Sequence, residues 1–219
     1  YYFDDNTSLT ISGFYKKGDE SSFLTNIVND ISRGSISSTN NRLRDETEMD
    51  ESFEYALDFY KDYDRDGQTL SARISYEESE DDGLEDIEDF ASFPLISESI
   101  FEKVSNLDSQ KRLLGQIDFI YPIDKETEFE FGYRGSFLER ETDYDVSFLT
   151  GNSFVSDPGL SNVFNYKESV NSLYTQFGKK FDKLSALFGL RYENSRQEID
   201  QRTTNQFEIK KYSDLFPTL

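Results

Sequence analysis

The sequence predicts an all-β fold, an antiparallel meander of about eight strands. Three observations predict it: apolar and polar residues alternate with period two in several segments, short polar turns recur at regular intervals, and Phe and Tyr make up 16% of the 219 residues. Disordered chains are poor in aromatic residues, so the low mean hydropathy of −0.71 does not indicate disorder. No run approaches the roughly 18 apolar residues of a membrane-spanning helix.

The first predicted strands follow two polar turns. The turn from Asp4 to Thr7 leads into one strand, and the turn 62–67, which closes with the hairpin signal Asp66-Gly67, joins the next two. One face of each of these strands is apolar: Leu9, Ile11, Gly13 and Tyr15; Phe53, Tyr55, Leu57 and Phe59; Leu70, Ala72, Ile74 and Tyr76.

Two further hairpins and a last strand complete the predicted meander. The second hairpin turns at 122–126, between apolar sets that end at Tyr121 and resume at Phe129. The third turns at 179–183, after a strand from about residue 170 that alternates less cleanly. The last strand begins near Gln206, which brings the count to about eight.

Short and long connections alternate strictly along the chain. The short turns lie near Asn6, Arg65, Asp124 and Asp182, about 59 residues apart, and long stretches separate them: Lys17 to Asp50, Glu78 to Ser109 and Asp143 to Asn165. Outer-membrane barrels have short periplasmic turns and long external loops. We therefore expect long acidic external loops. For the stretch from Leu84 to Leu107 two alternatives stay open, a short helix and a loop segment that plugs the barrel.

The positions of the aromatic residues favour one of the two folds in which a strand has one apolar face. Such strands occur in a soluble β-sandwich and in a barrel wall with lipid outside and water inside. Here aromatic residues end the apolar sets on the loop side and again on the turn side, which matches the two interfacial girdles of a bilayer: Tyr15, Phe53, Tyr76, Phe137 and Tyr192; Phe59, Tyr121 and Phe129. A sandwich core filled with large residues remains the alternative.

Charge and composition exclude several functions. Lys and Arg total 23 against 44 Asp and Glu, and the net charge of −21 disfavours nucleic-acid binding. The chain has no Cys and no His, which removes Cys or His zinc sites, thiol nucleophiles and His-dependent triads. Carboxylate pairs are too numerous to identify a catalytic acid and base. We predict no enzyme activity and no catalytic, cofactor-binding or metal-ligating residue.

Two acidic segments have features of cation sites without meeting the requirements. The turn 62–67 copies the start of an EF-hand loop, but position 12 falls on Arg73, where a bidentate Glu is required. The acidic run from Glu77 to Asp89 is more typical of a solvated loop surface than of a Ca²⁺ site. Charges opposite the apolar faces either line a solute path or only fill a wet interior: Arg73, Asp118, Glu128, Glu130, Arg134 and Arg191.

Three segments resemble the β-barrel of TonB-dependent outer-membrane receptors: 172–181 (SLYTQFGKKF), 187–193 (LFGLRYE) and 212–219 (YSDLFPTL). The likeness is to the outer-membrane β-barrel family common in Bacteroidota. Such receptors have a barrel of about 22 strands, preceded by a plug domain that contacts TonB. The resemblance implies that residues 1–219 are a single segment of a larger transmembrane barrel in the cell outer membrane, with the plug outside this chain.

The same resemblance implies energised uptake of a bulky nutrient, such as an iron chelate, a glycan or a peptide. The partners it implies are outer-membrane lipid, TonB through the plug, an unidentified nutrient and a surface lipoprotein, with no cofactor. Two alternatives stay open: a secreted soluble β-sandwich that binds or adheres through its loops, and a complete eight-stranded barrel with a structural role. Solubility without detergent would identify the first, because a sandwich hides its aromatic residues whereas a barrel strand presents Phe119, Phe131 and Phe188 to lipid. Hydrogen bonding between the first and last strands would favour the second.

Overall fold

The computed structural model describes all residues, 1–219, and consists of one antiparallel sheet of ten strands in sequence order, with the short β7 paired to β6. All but β1 and β7 are long, so eight long strands confirm the predicted meander. The molecule contains no helix long and apolar enough to cross a bilayer. The strands are β1 Tyr2–Asp4, β2 Thr7–Ser32, β3 Ser35–Asp62, β4 Thr69–Phe93, β5 Ile100–Pro122, β6 Thr127–Thr150, β7 Ser153–Ser156, β8 Asn162–Lys180, β9 Ser185–Gln201 and β10 Gln206–Thr218.

The short turns form where the sequence predicts them. The turn between β3 and β4 contains Gly67 with φ 79°, a left-handed value that glycine adopts without strain. Between β5 and β6, the Asp124 carboxylate accepts a hydrogen bond from the backbone N–H of Glu126 at 2.8 Å. This hydrogen bond lowers the pKa of Asp124. Each turn fixes the register of the hairpin that it closes.

The long external connections are present, but most of their residues lie in extended β-hairpins and not in irregular loops. The stretch from Lys17 to Asp50 stays paired until β2 and β3 turn at Arg33 and Gly34. β4 and β5 likewise stay paired as far as Asp89 and Ile100, so the stretch from Leu84 to Leu107 contains no helix. Both faces of these extensions carry many polar residues, which removes the alternation that marks a half-buried strand.

The two faces of the sheet differ as a membrane wall requires. We name the face that carries Leu57 and Phe131 the outer face, and the opposite one, which carries Ala56, the inner face. The outer-face side chains are exposed: Phe131 is 49% exposed and Phe188 is 53% exposed. Only 11 of 219 residues are buried, because no second sheet covers the apolar face. A soluble sandwich would bury these side chains, so that alternative is wrong.

The apolar band on the outer face crosses the strands obliquely. Its loop-side edge runs from Tyr15 on β2 to Tyr192 on β9. The residues paired with Tyr15, followed from strand to strand across the sheet, end at Glu198 on β9. Glu198 lies six residues (198 − 192) further from the turn than Tyr192. Six residues of about 3.3 Å over six strand steps of about 4.8 Å correspond to a tilt of about 35°. Strands of outer-membrane barrels have this tilt, so the band lies level in a bilayer when the strands are tilted as in a barrel wall.

A small apolar core lies on the inner face, beyond the loop-side edge of the band. Ile87 on β4, Val104 on β5 and Val146 on β6 are 3–5% exposed and pack together, with Phe148 against them. These contacts join three neighbouring strands outside the bilayer. They oppose splaying of the extended hairpins, because separation would expose the three side chains to water.

The sheet is open. β1 pairs with β2 only at two positions, and β10 pairs only with β9. No pairing joins β10 to β1 or β2, so the closure that would favour a complete eight-stranded barrel is not formed. At the level of the apolar band, the free edges of β2 and β10 carry backbone groups that lipid cannot satisfy.

A glycine allows one aromatic side chain to cross a strand on the inner face. Tyr174 on β8 lies over Gly132 on β6 and reaches β5, where its hydroxyl donates a hydrogen bond to the Asp118 carboxylate. A Cβ at position 132 would stand 2.3 Å from two ring atoms of Tyr174. Real side chains never approach so closely, so the position requires glycine.

We expect Gly132→Ala to displace Tyr174 and to lower the free energy of unfolding by about 1–3 kcal/mol, the usual range for overpacking. The measurement is denaturant unfolding in lipid vesicles. Gly115→Ala is the matched control, since a Cβ there meets no atom within 4 Å. In a Tyr174→Ala background the effect of Gly132→Ala should largely disappear; an undiminished loss would place the clash elsewhere.

The face assignment predicts opposite responses at two adjacent positions. Phe131→Arg puts a charge on the lipid side of the band and should lower the free energy of unfolding by about 2–4 kcal/mol. Glu130→Arg, on the inner face beside the acidic residue Asp118, should be tolerated. The same vesicle unfolding assay measures both variants, and equal losses would contradict the assignment of the faces.

Candidate functional site

The inner face carries the candidate functional residues. The strand registers place all six predicted inward charges on it: Arg73, Asp118, Glu128, Glu130, Arg134 and Arg191. Buried polar side chains lie on this face too, since Asp108 is 8% exposed and Ser172 is 1% exposed. The inner face is therefore a polar wall, and two of these six charges, Arg73 and Arg191, are held in ion pairs.

One hydrogen-bond network spans β5, β6 and β8 at the level of the apolar band. The Asp118 carboxylate accepts hydrogen bonds from the Tyr174 hydroxyl and from Gln116 Nε2, the latter at 2.8 Å. Gly132 lies between them on β6. Both donors are neutral groups, and the Asp118 carboxylate forms no ion pair. The arrangement fixes the position of the Asp118 carboxylate on the inner wall.

Two ion-pair groups flank this network. On β9, Arg191 Nη2 donates hydrogen bonds to Glu193 Oε2 at 2.7 Å and to the buried Ser172 hydroxyl at 2.8 Å. On β4, Arg73 Nη1 contacts Asp58 Oδ1 of β3 at 2.9 Å. Both guanidinium groups are held by partners on their own or neighbouring strands, which makes the wall rigid and polar.

Arg134 on the inner wall is free to meet a ligand. Arg134 has no carboxylate within ion-pair distance, although it lies among acidic residues. It lines a cavity of about 240 Å³ together with Gln116, Tyr174 and Arg191. The cavity therefore offers an unpaired guanidinium to a solute or to a protein segment inside the barrel.

Above the band, three aspartates lie directly opposite one another on the inner face. The register aligns Asp50 on β3, Asp81 on β4 and Asp108 on β5. Arg140 Nη2 binds Asp108 Oδ2 at 2.7 Å, and Lys16 lies 3.8 Å from Asp50. Asp81 has no cation of its own, and partial burial together with its two neighbours raises the pKa of Asp81.

The acidic run from Glu77 to Asp89 does not form one cluster. It lies on β4, where successive side chains point to opposite faces. Glu77 and Asp81 therefore face inward, and Glu78 and Asp82 face outward. No group of three or more acidic side chains is arranged to hold a metal ion.

The sequence gives no direct signal for the crossing of Gly132 by Tyr174. A glycine inside a strand indicates a close approach but does not name the residue that approaches. The sequence also does not show that Arg134 is unpaired, because the pairing partners of an arginine depend on the registers of three strands. Both features become visible only with the strand registers.

Two solved structures align with almost the whole chain. The ferric citrate transporter FecA in its unliganded form gives a TM-score of 0.40 at 11% identity, over 97% of this chain and 40% of that one. The ferric yersiniabactin uptake receptor FyuA from Yersinia pestis gives 0.34 at 7% identity, over 97% and 42%. This chain thus spans about two fifths of their length. No curated protein matches the sequence.

Family membership rests on the sequence. The model of the Outer membrane protein beta-barrel family matches residues 61–219, from the end of β3 through β10. This match covers 159 residues (219 − 60), well over half of the chain. With the oblique apolar band and the polar inner wall, it identifies the chain as a member of the outer membrane protein β-barrel family, located in the cell outer membrane.

Proposed function

We propose that this chain is part of the wall of a larger outer-membrane barrel that takes up a bulky nutrient in a TonB-dependent manner. The observation that carries the proposal is the inner wall at the level of the apolar band. From Arg73 on β4 to Glu193 on β9 most of its side chains are charged or hydrogen-bonding. A wall of this composition suits a wet or plugged interior and not a filled apolar one.

The free edges of β2 and β10 support a larger barrel. Backbone N–H and C=O groups on these edges need hydrogen-bond partners inside the bilayer. The sheet does not supply them by closing on itself. We propose that residues 1–219 form one barrel segment, that further strands complete the wall, and that a plug domain outside this chain fills the interior and contacts TonB.

The extended hairpins support capture of the solute before transport. β2 continues for 17 residues beyond Tyr15 (32 − 15), which is about 55 Å at a rise of about 3.3 Å per residue. The inner sides of such hairpins form a vestibule above the membrane. In this proposal the chain binds and conducts a solute, with a surface lipoprotein as an additional partner, and it has no catalytic role.

Uptake measurements on the intact organism test this proposal. A deletion of the gene should abolish uptake of one labelled class among ferric chelates, oligosaccharides and peptides, and a TonB deletion should have the same effect. Uptake that survives loss of TonB would indicate a passive channel and would overturn the energised mechanism. Unchanged uptake of all three classes would overturn the transport role.

A charge reversal at Arg134 tests the inner wall. Arg134→Glu should lower uptake about tenfold, equivalent to about 1.4 kcal/mol, because it removes the unpaired cation of the cavity. Lys17→Glu, a charge reversal on the outer face of β2 above the band, is the matched control and should leave uptake unchanged. Equal amounts of both variants in the outer membrane must be verified, and equal uptake by both would argue against a path along this wall.

A further inference from the structure

We propose that the outer face of the extended hairpins binds a second protein, one that presents an apolar anchor side chain between Lys or Arg residues. The surface is a groove of about 230 Å³ between β2 and β7, which we name the lateral groove. Register places its large apolar side chains on the outer face, so the groove opens sideways and not into the vestibule. Four such side chains line it: Phe23, Leu43, Phe101 and Phe154.

The lateral groove lies too far from the membrane for lipid to cover it. Phe23 lies eight residues (23 − 15) beyond Tyr15, and Leu43 lies ten residues (53 − 43) beyond Phe53, where Tyr15 and Phe53 mark the loop-side edge of the apolar band. At a rise of about 3.3 Å per residue and a tilt of about 35°, the heights are about 21 and 27 Å. The polar layer of a bilayer is only about 5–8 Å thick on each side. The groove therefore faces the external medium.

The apolar side chains of the groove are widely exposed. Phe23 is 68% exposed, Phe101 is 40% exposed and Phe154 is 38% exposed. Single exposed apolar residues are normal on a protein surface, but a contiguous apolar patch with a polar rim marks an interaction site. Added strands would extend the sheet at the free edges of β2 and β10 and would leave the outer face of β3 to β7 uncovered. Covering the groove therefore requires a separate molecule.

The rim of the lateral groove is acidic, and two of its carboxylates have no cation. Lys103 Nζ lies 2.9 Å from Asp86 Oδ1 and 5.1 Å from the centre of the Phe154 ring, so this lysine is already engaged. Asp45 and Glu88 line the groove and form no ion pair. Complementary charge across an interface selects the partner. The two carboxylates therefore favour a partner with Lys or Arg at the matching positions.

Charge disfavours a second copy of this chain as the occupant. The symmetry axis of two identical membrane proteins stands along the membrane normal, so the groove would face the same groove at the same height. Asp45 and Glu88 of both copies would then approach one another, and like charges across an interface oppose association. The net charge of −21 adds to this repulsion. A basic partner meets none of these costs.

The size of the groove indicates a pocket for one anchor residue within a larger contact. A volume of about 230 Å³ accommodates a single large side chain, whereas a standard interface buries about 800 Å² on each partner. The binding energy of an interface is concentrated in a few well-packed pockets of this kind. We expect Phe101 and Phe154 to carry most of the affinity. The inferred surface lies on the outside of the wall and does not depend on the transport proposal.

Cross-linking on intact cells identifies the occupant. This segment has no cysteine, so Ser99→Cys introduces its single thiol at the groove, where the Ser99 hydroxyl donates a hydrogen bond to Glu88. The thiol is labelled with benzophenone maleimide and irradiated, the full-length protein is purified through an affinity tag, and attached molecules are identified by mass spectrometry. Lys211→Cys, on the outer face of β10, is the matched control. We expect one protein to be attached to the Ser99→Cys variant and not to the control.

Binding of that protein, once purified, to the full-length chain in nanodiscs tests the groove itself. Phe101→Ala and Phe154→Ala should each raise the Kd about tenfold, because each removes part of the anchor pocket. Phe207→Ala is the matched control and should leave the Kd unchanged. Phe207 is an outer-face phenylalanine of β10, 63% exposed, that does not line the groove. Circular dichroism in the discs verifies that all variants are folded.

The acidic rim has its own variants. Asp45→Asn combined with Glu88→Gln should raise the Kd about threefold, as for exposed ion pairs. The same double variant should reduce the rise of the Kd with salt concentration, because salt screens the attraction that it removes. Asp143→Asn, at an outer-face carboxylate of β6 outside the groove, is the matched control and should change neither quantity.

Four results would overturn the inference. Cross-linking only to another copy of this chain would replace the basic partner by an interface between copies. Cross-linking only to lipid or glycolipid would exclude protein docking at the groove. Absence of any cross-linked protein beyond those of the Lys211→Cys control would show that the groove has no partner. A cross-linked protein that binds the Phe101→Ala and Phe154→Ala variants as tightly as the unmodified chain would place the contact elsewhere.

Discussion

Cross-strand backbone hydrogen bonding is the interaction on which the rest of this structure depends. Of 162 backbone hydrogen bonds, 147 lie within the strands. In a bilayer no water replaces a missing partner, so each strand must be paired along the whole apolar band. This requirement explains why consecutive strands pair in order, with only the short β7 off the path. It also leaves the edge groups of β2 and β10 without partners in the bilayer, which is why we propose that further strands continue the sheet.

Once the backbone is paired, the alternation of side chains places apolar residues on the outer face and polar residues on the inner face. Outer-face residues of the apolar band, such as Phe131, face the lipid. Inner-face residues such as Asp118 and Tyr174 make the polar contacts. A shift of one residue in the register would exchange the two faces. The registers fixed by the short turns therefore keep the apolar residues on the outer face and the polar residues on the inner face.

The strands that the sequence predicts well are those whose two faces lie in unlike environments. The hairpin around Gly67 combines a strong turn signal with strands that are apolar on one side, and the sequence indicates both. For the stretch from Lys17 to Asp50 the sequence predicts a loop and the structure forms a hairpin, because its strands have water on both sides and no alternation to detect. Its pairing is decided by the continuation of the register from the membrane segment. The approach of Tyr174 to Gly132 was not predictable for a related reason, since it depends on the registers of three strands.

The same strand geometry also accommodates the many acidic residues of the chain. A run such as Glu77 to Asp89 would repel itself if all its carboxylates met at one point. On β4 they alternate between the faces, and several find cations on neighbouring strands, such as Lys111 for Glu78 on the outer face and Arg44 for Glu85 on the inner face. The buried contact of Ile87 and Val104 then holds β4 and β5 together within this charged region. Strand structure thus allows a segment with many carboxylates to remain ordered outside the membrane.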